Sequence, residues 1–364
     1  MSVTEEAGSP PDLSGAGGDD AGGARRSPAS GGRPRRGLVL GAGGVLGFAW
    51  MVGALRALED QEGFDSRDVD VCAGTSSGAI LAALLGLGVG VDAILRHQQG
   101  IPLPGDPRIE WDYDSDVGGA LPPRPGLRPG SRGLLLRVAR HPRQLPPLVA
   151  VSAMLPRGRR PLQAVGRMID AVAELSGQRA GGPAWPTGRQ TWIMTMDYDG
   201  GRRVAFGRPG APPARLADAV MASCAIPGWY APIEIGGRRY VDGGTCSPAS
   251  VDLLAGAGLD EAWVLAPMVS FAVDRPRSAV ARVERQFRRA STRRVLREAT
   301  RLRAAGTAVT VLGPGPADLN VMGANLMDPR RRVAVLHTSL RSSAEALRRE
   351  GRPVVGYPPE SAAR

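Results

Sequence analysis

The segment Val69–Leu81 constrains the fold of this chain more than any other stretch of its sequence. A short apolar run leads into Gly74-Thr75-Ser76-Ser77-Gly78, and a helical run from Ala79 to Leu87 follows at once. A strand, a Gly-x-Ser-x-Gly turn and a helix form the layout of a nucleophile elbow, in which the glycines allow a sharp turn without a Cβ clash. The pattern predicts Ser76 at the tip, beside the positive end of the helix dipole. A plain Gly-Ser turn before a buried helix is the other interpretation of the pentapeptide.

A second glycine-rich turn lies one strand earlier. The apolar run 37–40 predicts a buried strand, 41–47 is the turn Gly-Ala-Gly-Gly-Val-Leu-Gly, and a helix is predicted over Phe48–Asp60. Such a turn presents backbone N–H groups at a helix N-terminus, which is an anion site. The anion could be a dinucleotide pyrophosphate or a tetrahedral oxyanion. Leu46 occupies the place of the third glycine in the dinucleotide fingerprint, so the oxyanion is favoured, and a purely structural turn stays open.

Length and charge bound the class of protein. The chain has 364 residues, 43% of them hydrophobic, which is enough for one large α/β domain. Its formal net charge is +11, and all basic residues are arginine. That charge favours anionic surfaces such as membranes, whereas an aromatic content of 4% argues against stacking on nucleic-acid bases. We therefore expect no nucleic-acid partner. The sequence does not indicate an oligomeric state.

The ends and one internal stretch differ from the rest. Residues 1–34 are poor in large apolar groups and are predicted to be a disordered N-terminal tail, and residues 351–364 a flexible C-terminal tail. The domain is expected over 35–350. Within it, 101–160 is dense in proline and arginine with apolar patches, and is predicted to be an insertion that is either a candidate lid or an irregular surface segment. No signal peptide is visible, and the longest apolar run, 79–91, is shorter than the roughly 18 residues of a membrane span, so a cytoplasmic protein is expected.

The second half of the chain supplies a candidate base and a basic helix. A strand over Arg238–Val241 leads into Asp242-Gly243-Gly244, which would present a carboxylate to a cleft, although Asp-Gly-Gly is also a common turn. The helical stretch Arg277–Ala305 is rich in arginine and is either a solvated face or a peripheral contact with an anionic membrane, at the inner membrane face if the protein is cytoplasmic.

Three motifs in this order resemble the patatin-like phospholipases. They are the turn at 42–47, the elbow at 74–78 and Asp242-Gly243-Gly244, and the approach Ala222–Gly228 is especially similar to that family. The likeness covers 37–100 and 187–266. It implies a three-layer α/β/α fold with a central, mostly parallel sheet, and hydrolysis of lipid acyl esters of the phospholipase A or lysophospholipase type, without a cofactor.

The resemblance also implies a role for each motif. Ser76 would be the nucleophile and Asp242 its base, in a catalytic dyad. The backbone N–H groups of Gly43, Gly44 and Val45 would form the oxyanion hole, with Gly74 and Gly78 shaping the elbow. One departure is Leu46, where the family usually has arginine or lysine. It leaves open a catalytically weak protein that binds membranes or partners as a regulator.

A histidine triad, a metal site and a nucleotide site are three other kinds of chemistry that the sequence could support. Ser76, Asp242 and His337 follow the chain order of an α/β-hydrolase triad, but His337 falls inside a predicted helix over Arg330–Arg349. The three histidines and three cysteines, Cys72, Cys224 and Cys246, lack the spacing of metal ligands, so no metal is expected. A nucleotide-binding module is the third class of function, and it would require stabilisation of the chain by nucleotide.

Overall fold

Strands and helices alternate along the chain, as expected for an α/β protein. The computed structural model describes residues 33–113, 116, 129–141, 145–177, 184–271 and 279–348, without the side chains of 279–281 and 283. The strands are β1 (Arg36–Leu40), β2 (Val71–Thr75), β3 (Gln190–Asp197), β4 (Arg202–Phe206), β5 (Ile233–Ile235), β6 (Arg238–Asp242), β7 (Glu261–Leu265) and β8 (Ala308–Leu312). The helices are α1 (Gly44–Glu62), α2 (Ser77–Gly86), α3 (Val91–Gln99), α4 (Arg132–Arg140), α5 (Pro147–Met154), α6 (Gln163–Leu175), α7 (Leu216–Cys224), α8 (Ala279–Ala304), α9 (Pro316–Met322) and α10 (Arg332–Arg348). Apart from residues 33 and 34, the predicted tails 1–34 and 351–364 lie outside the described residues.

The eight strands form one mixed sheet. Its order is β5-β6-β3-β2-β1-β7-β8. Both β6 and β2 pair with the same edge of β3, and β4 pairs with the opposite edge. The five strands β3, β2, β1, β7 and β8 are parallel to one another, while β4, β5 and β6 are joined by antiparallel pairs. The predicted central, mostly parallel sheet is confirmed.

Both faces of the sheet are covered. Along β1, Leu38 and Leu40 belong to the large apolar cluster that α1, α2, α6, α7 and α10 share, while Val39 belongs to a second cluster with α8 on the opposite face. Adjacent residues of a strand point to opposite faces, so a strand buried on both sides is apolar throughout. The result is the predicted three-layer arrangement of helices, sheet and helices.

The predicted insertion 101–160 contains regular structure that its sequence did not reveal. Helices α4 and α5 lie in it, and Leu134, Val149 and Ala153 pack against β3 and β6 in a third apolar cluster. Both helices are short and their neighbourhood is rich in proline, which hides a helical period. Within the described residues, no helix is long and apolar enough to cross a membrane.

Helix α1 begins earlier than predicted. It starts at Gly44, not Phe48, so the second half of the glycine-rich turn is its first turn. The sequence suggested a loop because glycine has a low helix propensity. The N–H groups predicted to bind an anion are therefore the first N–H groups of α1, which have no acceptor within the helix.

Candidate active site

Ser76 occupies a sharp turn between β2 and α2. Strand β2 ends at Thr75, α2 begins at Ser77, and Ser76 has φ 55° and ψ −122°. A residue with a side chain in this region is strained by about 1–3 kcal/mol, and such strain clusters at functional sites. The turn presents Ser76 at the carboxyl end of a parallel strand, where α/β sheets usually bind ligands.

The glycines on either side of Ser76 are required by close backbone packing. A Cβ atom on Gly74 would lie 2.2 Å from the carbonyl oxygen of Gly78. A Cβ atom on Gly78 would lie 2.1 Å from the carbonyl oxygen of Leu40, on the neighbouring strand β1. Both contacts are shorter than any van der Waals separation, so the Gly-x-Ser-x-Gly pattern follows from the packing of the elbow against β1.

The sheet brings Asp242 to Ser76. Strand β4 pairs with one edge of β3, and β2 and β6 lie end to end along the opposite edge. Because β2 is parallel and β6 antiparallel to β3, their carboxyl ends meet. Thr75 pairs with Met194 of β3, and Asp242 pairs with the next residue, Thr195. The two predicted catalytic side chains are therefore neighbours in space.

The Asp242 carboxyl group is buried and only 5% exposed. Its Oδ1 accepts a hydrogen bond from the N–H of Gly244 at 2.7 Å, and the Ser76 hydroxyl is a second donor. Burial raises the pKa of Asp242 from 3.8 to about 6, and the two hydrogen bonds oppose this rise. A carboxylate with a pKa just below neutrality can both take and return a proton, which suits a general base.

The end of α7 fixes both of these residues. The Ser76 N–H donates to Ser223 Oγ at 2.8 Å, and the Ser223 hydroxyl donates in turn to the Met194 carbonyl at 2.7 Å. Two residues on, the Ala225 carbonyl accepts the N–H of Asp242 at 3.0 Å. Sequence reasoning used this segment only as part of the family likeness and gave Ser223 no role, although its place before Cys224-Ala225-Ile226-Pro227 was the available signal.

The start of α1 supplies N–H donors beside Ser76. Among the described residues, no atom accepts a hydrogen bond from the N–H groups of Gly43, Gly44 and Val45. The N–H of Leu46, by contrast, donates to the Leu326 carbonyl oxygen. Gly44 has φ 61°, and a Cβ atom there would lie 2.8 Å from Met327 Sδ. Three unpaired donors at the positive end of a 19-residue helix can hold an oxyanion.

Leu46 points into the core. Its side chain is fully buried in the large apolar cluster that α1 shares with α2 and α10. A cation at this position would have to leave water for an apolar environment, which is costly without a partner. The place that the family usually gives to arginine or lysine is thus an ordinary packing position in this chain.

Two apolar clefts meet at Ser76. The α6 cleft contains about 800 Å³ including its mouth; its lining includes Val45, Phe48, Ile80, Leu84, Ile109, Trp111, Val165 and Met168. The α5 cleft contains about 930 Å³; its lining includes Gly43, Leu148, Val151, Leu155, Asp242, Thr245 and Phe287. Gly44, Ser76, Ile226 and Met327 line both clefts.

The remaining chemical candidates lie elsewhere. His337 is on α10, where its Nε2 lies 3.4 Å from Gln99 Nε2, and it lines neither cleft. Cys72, Cys224 and Cys246 are unpaired, and burial raises the pKa of each thiol above its ordinary value. In the parts of the chain that the structure describes, no group of three or more histidine, cysteine or acidic side chains could hold a metal ion.

Comparison with known proteins identifies the family. The model of the patatin-like phospholipases matches residues 38–101 and 162–255, which include the α1 turn, the elbow and Asp242. The chain belongs to the patatin-like phospholipase family. Membership in this family supports a lipid ester hydrolase in general terms. The family match is interrupted over most of the predicted insertion 101–160.

Two solved structures show a weaker similarity to this chain. The type III effector protein ExoU is 20% identical, with 86% of this chain and 53% of that chain covered and a TM-score of 0.36. VipD from Legionella pneumophila is 13% identical, with 86% of this chain and 67% of that chain covered and a TM-score of 0.39. The chain thus spans about half of the length of ExoU. No curated protein sequence matches it.

Proposed function

We propose that this chain is a serine acyl hydrolase that cleaves lipid carboxylic esters through Ser76 and Asp242, with 35–350 as the catalytic domain. One observation carries the proposal. The hydroxyl of a strained, buried serine faces a buried carboxylate whose pKa is raised to about 6, next to unpaired N–H groups at the start of α1. A serine hydroxyl becomes a good nucleophile when an adjacent base takes its proton, and this arrangement provides that base.

The reaction follows from these positions. Asp242 takes the Ser76 proton while Oγ attacks the ester carbonyl carbon, and the carbonyl oxygen becomes an oxyanion held by Gly43, Gly44 and Val45. As the tetrahedral intermediate collapses, the protonated Asp242 gives its proton to the leaving alcohol, and an acyl-enzyme forms. Water then attacks the acyl carbon, with Asp242 again accepting a proton, and the carboxylic acid leaves as Ser76 regains its hydrogen. Each oxyanion donor contributes about 10²–10³ in rate in comparable enzymes.

The linings of the two clefts favour a lipid over a small polar ester. Apolar side chains make up most of both linings, and an apolar cleft gains affinity from each buried methylene group, by about 0.8 kcal/mol. Esters of the phospholipase A or lysophospholipase type provide long acyl chains of this kind. We propose the predicted insertion as the segment that controls the entry of these esters, since its segment 109–113 lines the α6 cleft and its helix α5 lines the α5 cleft.

The mouth of the α5 cleft has the character of a surface that contacts lipid. Leu148, Val151 and Met154 lie on one side of α5 and are 43%, 51% and 71% exposed. Phe287 of α8 reaches the same cleft, and α8 carries exposed arginines along its length. Apolar groups that enter the acyl region, flanked by cations, bind anionic membranes peripherally. We propose such contact, on the inner face of the membrane.

Purified variants test the dyad directly. We expect Ser76→Ala and Asp242→Asn to lose release of fatty acid from phospholipids and p-nitrophenyl esters, by at least about 10³-fold. Ser339→Ala and Asp318→Asn are matched controls, because they alter equally buried groups that line neither cleft, and they should retain activity. A fluorophosphonate probe should label the wild type at Ser76. Equal turnover in all variants would reject the dyad, and an unlabelled Ser76 with no turnover would favour the catalytically weak regulator.

Vesicle binding tests the membrane contact. We expect Met154→Gln to weaken partitioning onto vesicles of phosphatidylglycerol and phosphatidylcholine, because it places an amide where an apolar group enters the lipid. Leu175→Gln on α6 changes a side chain of similar exposure, 64%, outside both clefts and should have no effect. Equal partitioning of both variants and the wild type would reject α5 as the contact.

A further inference from the structure

The two clefts at Ser76 are not equivalent, because only one of them contains the base. Asp242 lines the α5 cleft and does not line the α6 cleft. Ser76 and Gly44 line both, so an ester carbonyl placed at these residues has one cleft on each side. A bound ester must therefore send its acyl chain into one cleft and its alcohol part into the other.

The path of the proton decides which part enters which cleft. The group that takes the Ser76 proton must later give it to the oxygen of the leaving alcohol, so that oxygen lies within hydrogen-bond reach of Asp242. The leaving alcohol consequently lies on the side of the α5 cleft. We infer that the acyl chain of the substrate occupies the α6 cleft while the alcohol part stays in the α5 cleft, at the exposed apolar surface. This inference rests on the proposed function.

The lining of the α6 cleft has the chemistry of an acyl site. Val165 and Met168 of α6 and Phe48 of α1 give it apolar walls. A further wall is the segment 109–113, which includes Ile109, Trp111 and Tyr113. An apolar cleft of this kind selects the length of a straight alkyl chain, since each methylene group adds to binding only until the chain fills the cleft.

The wall formed by 109–113 is held firmly against α3. The His97 Nε2 atom lies 2.9 Å from the Ile109 carbonyl oxygen, and the Gln98 amide contacts the Tyr113 hydroxyl. The Arg332 guanidinium lies 4.3 Å from the centre of the Tyr113 ring, a cation–π contact. The α5 cleft, by contrast, is bordered by the exposed side chains of α5. The predicted insertion thus contributes a fixed wall to the acyl site and an open rim to the alcohol site.

The substrate class follows from this division. It is an ester whose acyl chain leaves the lipid surface and enters the interior, while its alcohol part remains in contact with that surface. Selectivity for acyl length would depend on α6 and 109–113. Selectivity for the alcohol would depend on α5.

A matched pair of valine substitutions in the full-length chain tests the assignment. Val165→Phe fills the α6 cleft, and Val151→Phe adds the same ring to the α5 cleft. With p-nitrophenyl esters from acetate to palmitate, Val165→Phe should lower turnover of the dodecanoate relative to the acetate by at least about tenfold. Val151→Phe should leave that ratio unchanged and should lower turnover of dodecyl acetate relative to ethyl acetate. Exchanged effects, or no effect of either variant on these ratios, would overturn the inference.

Acetate turnover is the internal control for folding, because an acetyl group has only one carbon beyond its carbonyl and needs little of the α6 cleft. If Val165→Phe shows neither acetate turnover nor a cooperative thermal transition, it has not folded, and Phe48→Ala is tested in its place. That variant enlarges the same cleft and should raise the longest acyl chain that is turned over efficiently. An unchanged chain-length profile in Phe48→Ala would count against the assignment.

A binding measurement separates this inference from the proposed function. Wild type that hydrolyses no ester would refute the proposed function. In the Ser76→Ala background, laurate should bind by titration calorimetry, and Val165→Phe should weaken its affinity by at least about tenfold while Val151→Phe should not. Laurate binding that is absent, or that both valine variants weaken equally, would overturn the acyl site even if hydrolysis is observed.

Discussion

The burial of Asp242 predicts that the proposed base lowers the stability of the fold at neutral pH. Its pKa is raised from 3.8 to about 6, and this difference corresponds to about 3 kcal/mol. The sign follows from proton binding. Between about pH 4 and 6 the folded state holds the proton and the unfolded state does not, so the free energy of unfolding falls as pH rises through this window. Above about pH 7 the whole loss is present.

Asp242→Asn removes the ionisation and keeps the shape. The asparagine Oδ1 can still accept the N–H of Gly244, the bond that Asp242 makes at 2.7 Å. We expect the variant to be more stable than the wild type by about 3 kcal/mol at pH 8, by about 1–2 at pH 5 and by less than about 1 at pH 4. Other titrating groups are the same in both proteins and cancel in the difference.

Urea denaturation at each pH, followed by circular dichroism and extrapolated linearly to water, measures this difference. Asp60→Asn is the control, because it changes a carboxylate that is 46% exposed in an ion pair with Arg56 and should alter stability by less than about 1 kcal/mol. A difference between Asp242→Asn and the wild type that is constant from pH 4 to 8, or that falls as pH rises, would refute the reasoning. The same ionisation predicts that wild-type kcat/KM rises with pH through about 6 and is level above about 7.

Three further predictions concern Ser223, Gly44 and His337, and the first two have a control variant each. Ser223→Ala leaves the Ser76 N–H without its acceptor, and we expect kcat to fall about tenfold or more with little change in KM. Ser339→Ala is the control, because it removes an equally buried serine hydroxyl that donates to the Trp50 carbonyl. It should lower the thermal transition temperature and leave kcat unchanged. Gly44→Ala introduces a Cβ at φ 61° into the proposed oxyanion site and should lower ester turnover about 10²-fold. Gly63→Ala, at the other end of α1 with φ 65° and no heavy atom within 4 Å of the added Cβ, should carry a similar strain of about 1–2 kcal/mol but keep full activity. His337→Ala should change kcat/KM by less than about twofold. A loss comparable to that of Asp242→Asn would support a triad of Ser76, Asp242 and His337.

Local patterns in the sequence were sufficient for much of the sheet. The mostly apolar runs 37–40, 261–266 and 308–312 of the sequence correspond to β1, β7 and β8. They are recognisable because parallel strands are buried on both faces and therefore read as continuous apolar segments. Helix α7 ends at Cys224, shortly before Pro227, which a helix rarely continues through. The short helices α4 and α5 were not predicted, because eight or nine residues between prolines give too little of a helical period.

The sequence by itself determined the local geometry at Ser76. Its Gly-x-Ser-x-Gly pattern is enough to predict the turn, because the two glycines allow the backbone to turn sharply without a Cβ clash. Tertiary structure alone decided what faces that turn. Asp242 meets Ser76 because two strands of opposite direction end against each other on one edge of β3, and Ser223 joins them through the end of α7. Contacts of this kind depend on which strands pair and in which register, and strand pairing is set by the packing of the whole sheet, which no short stretch of sequence encodes.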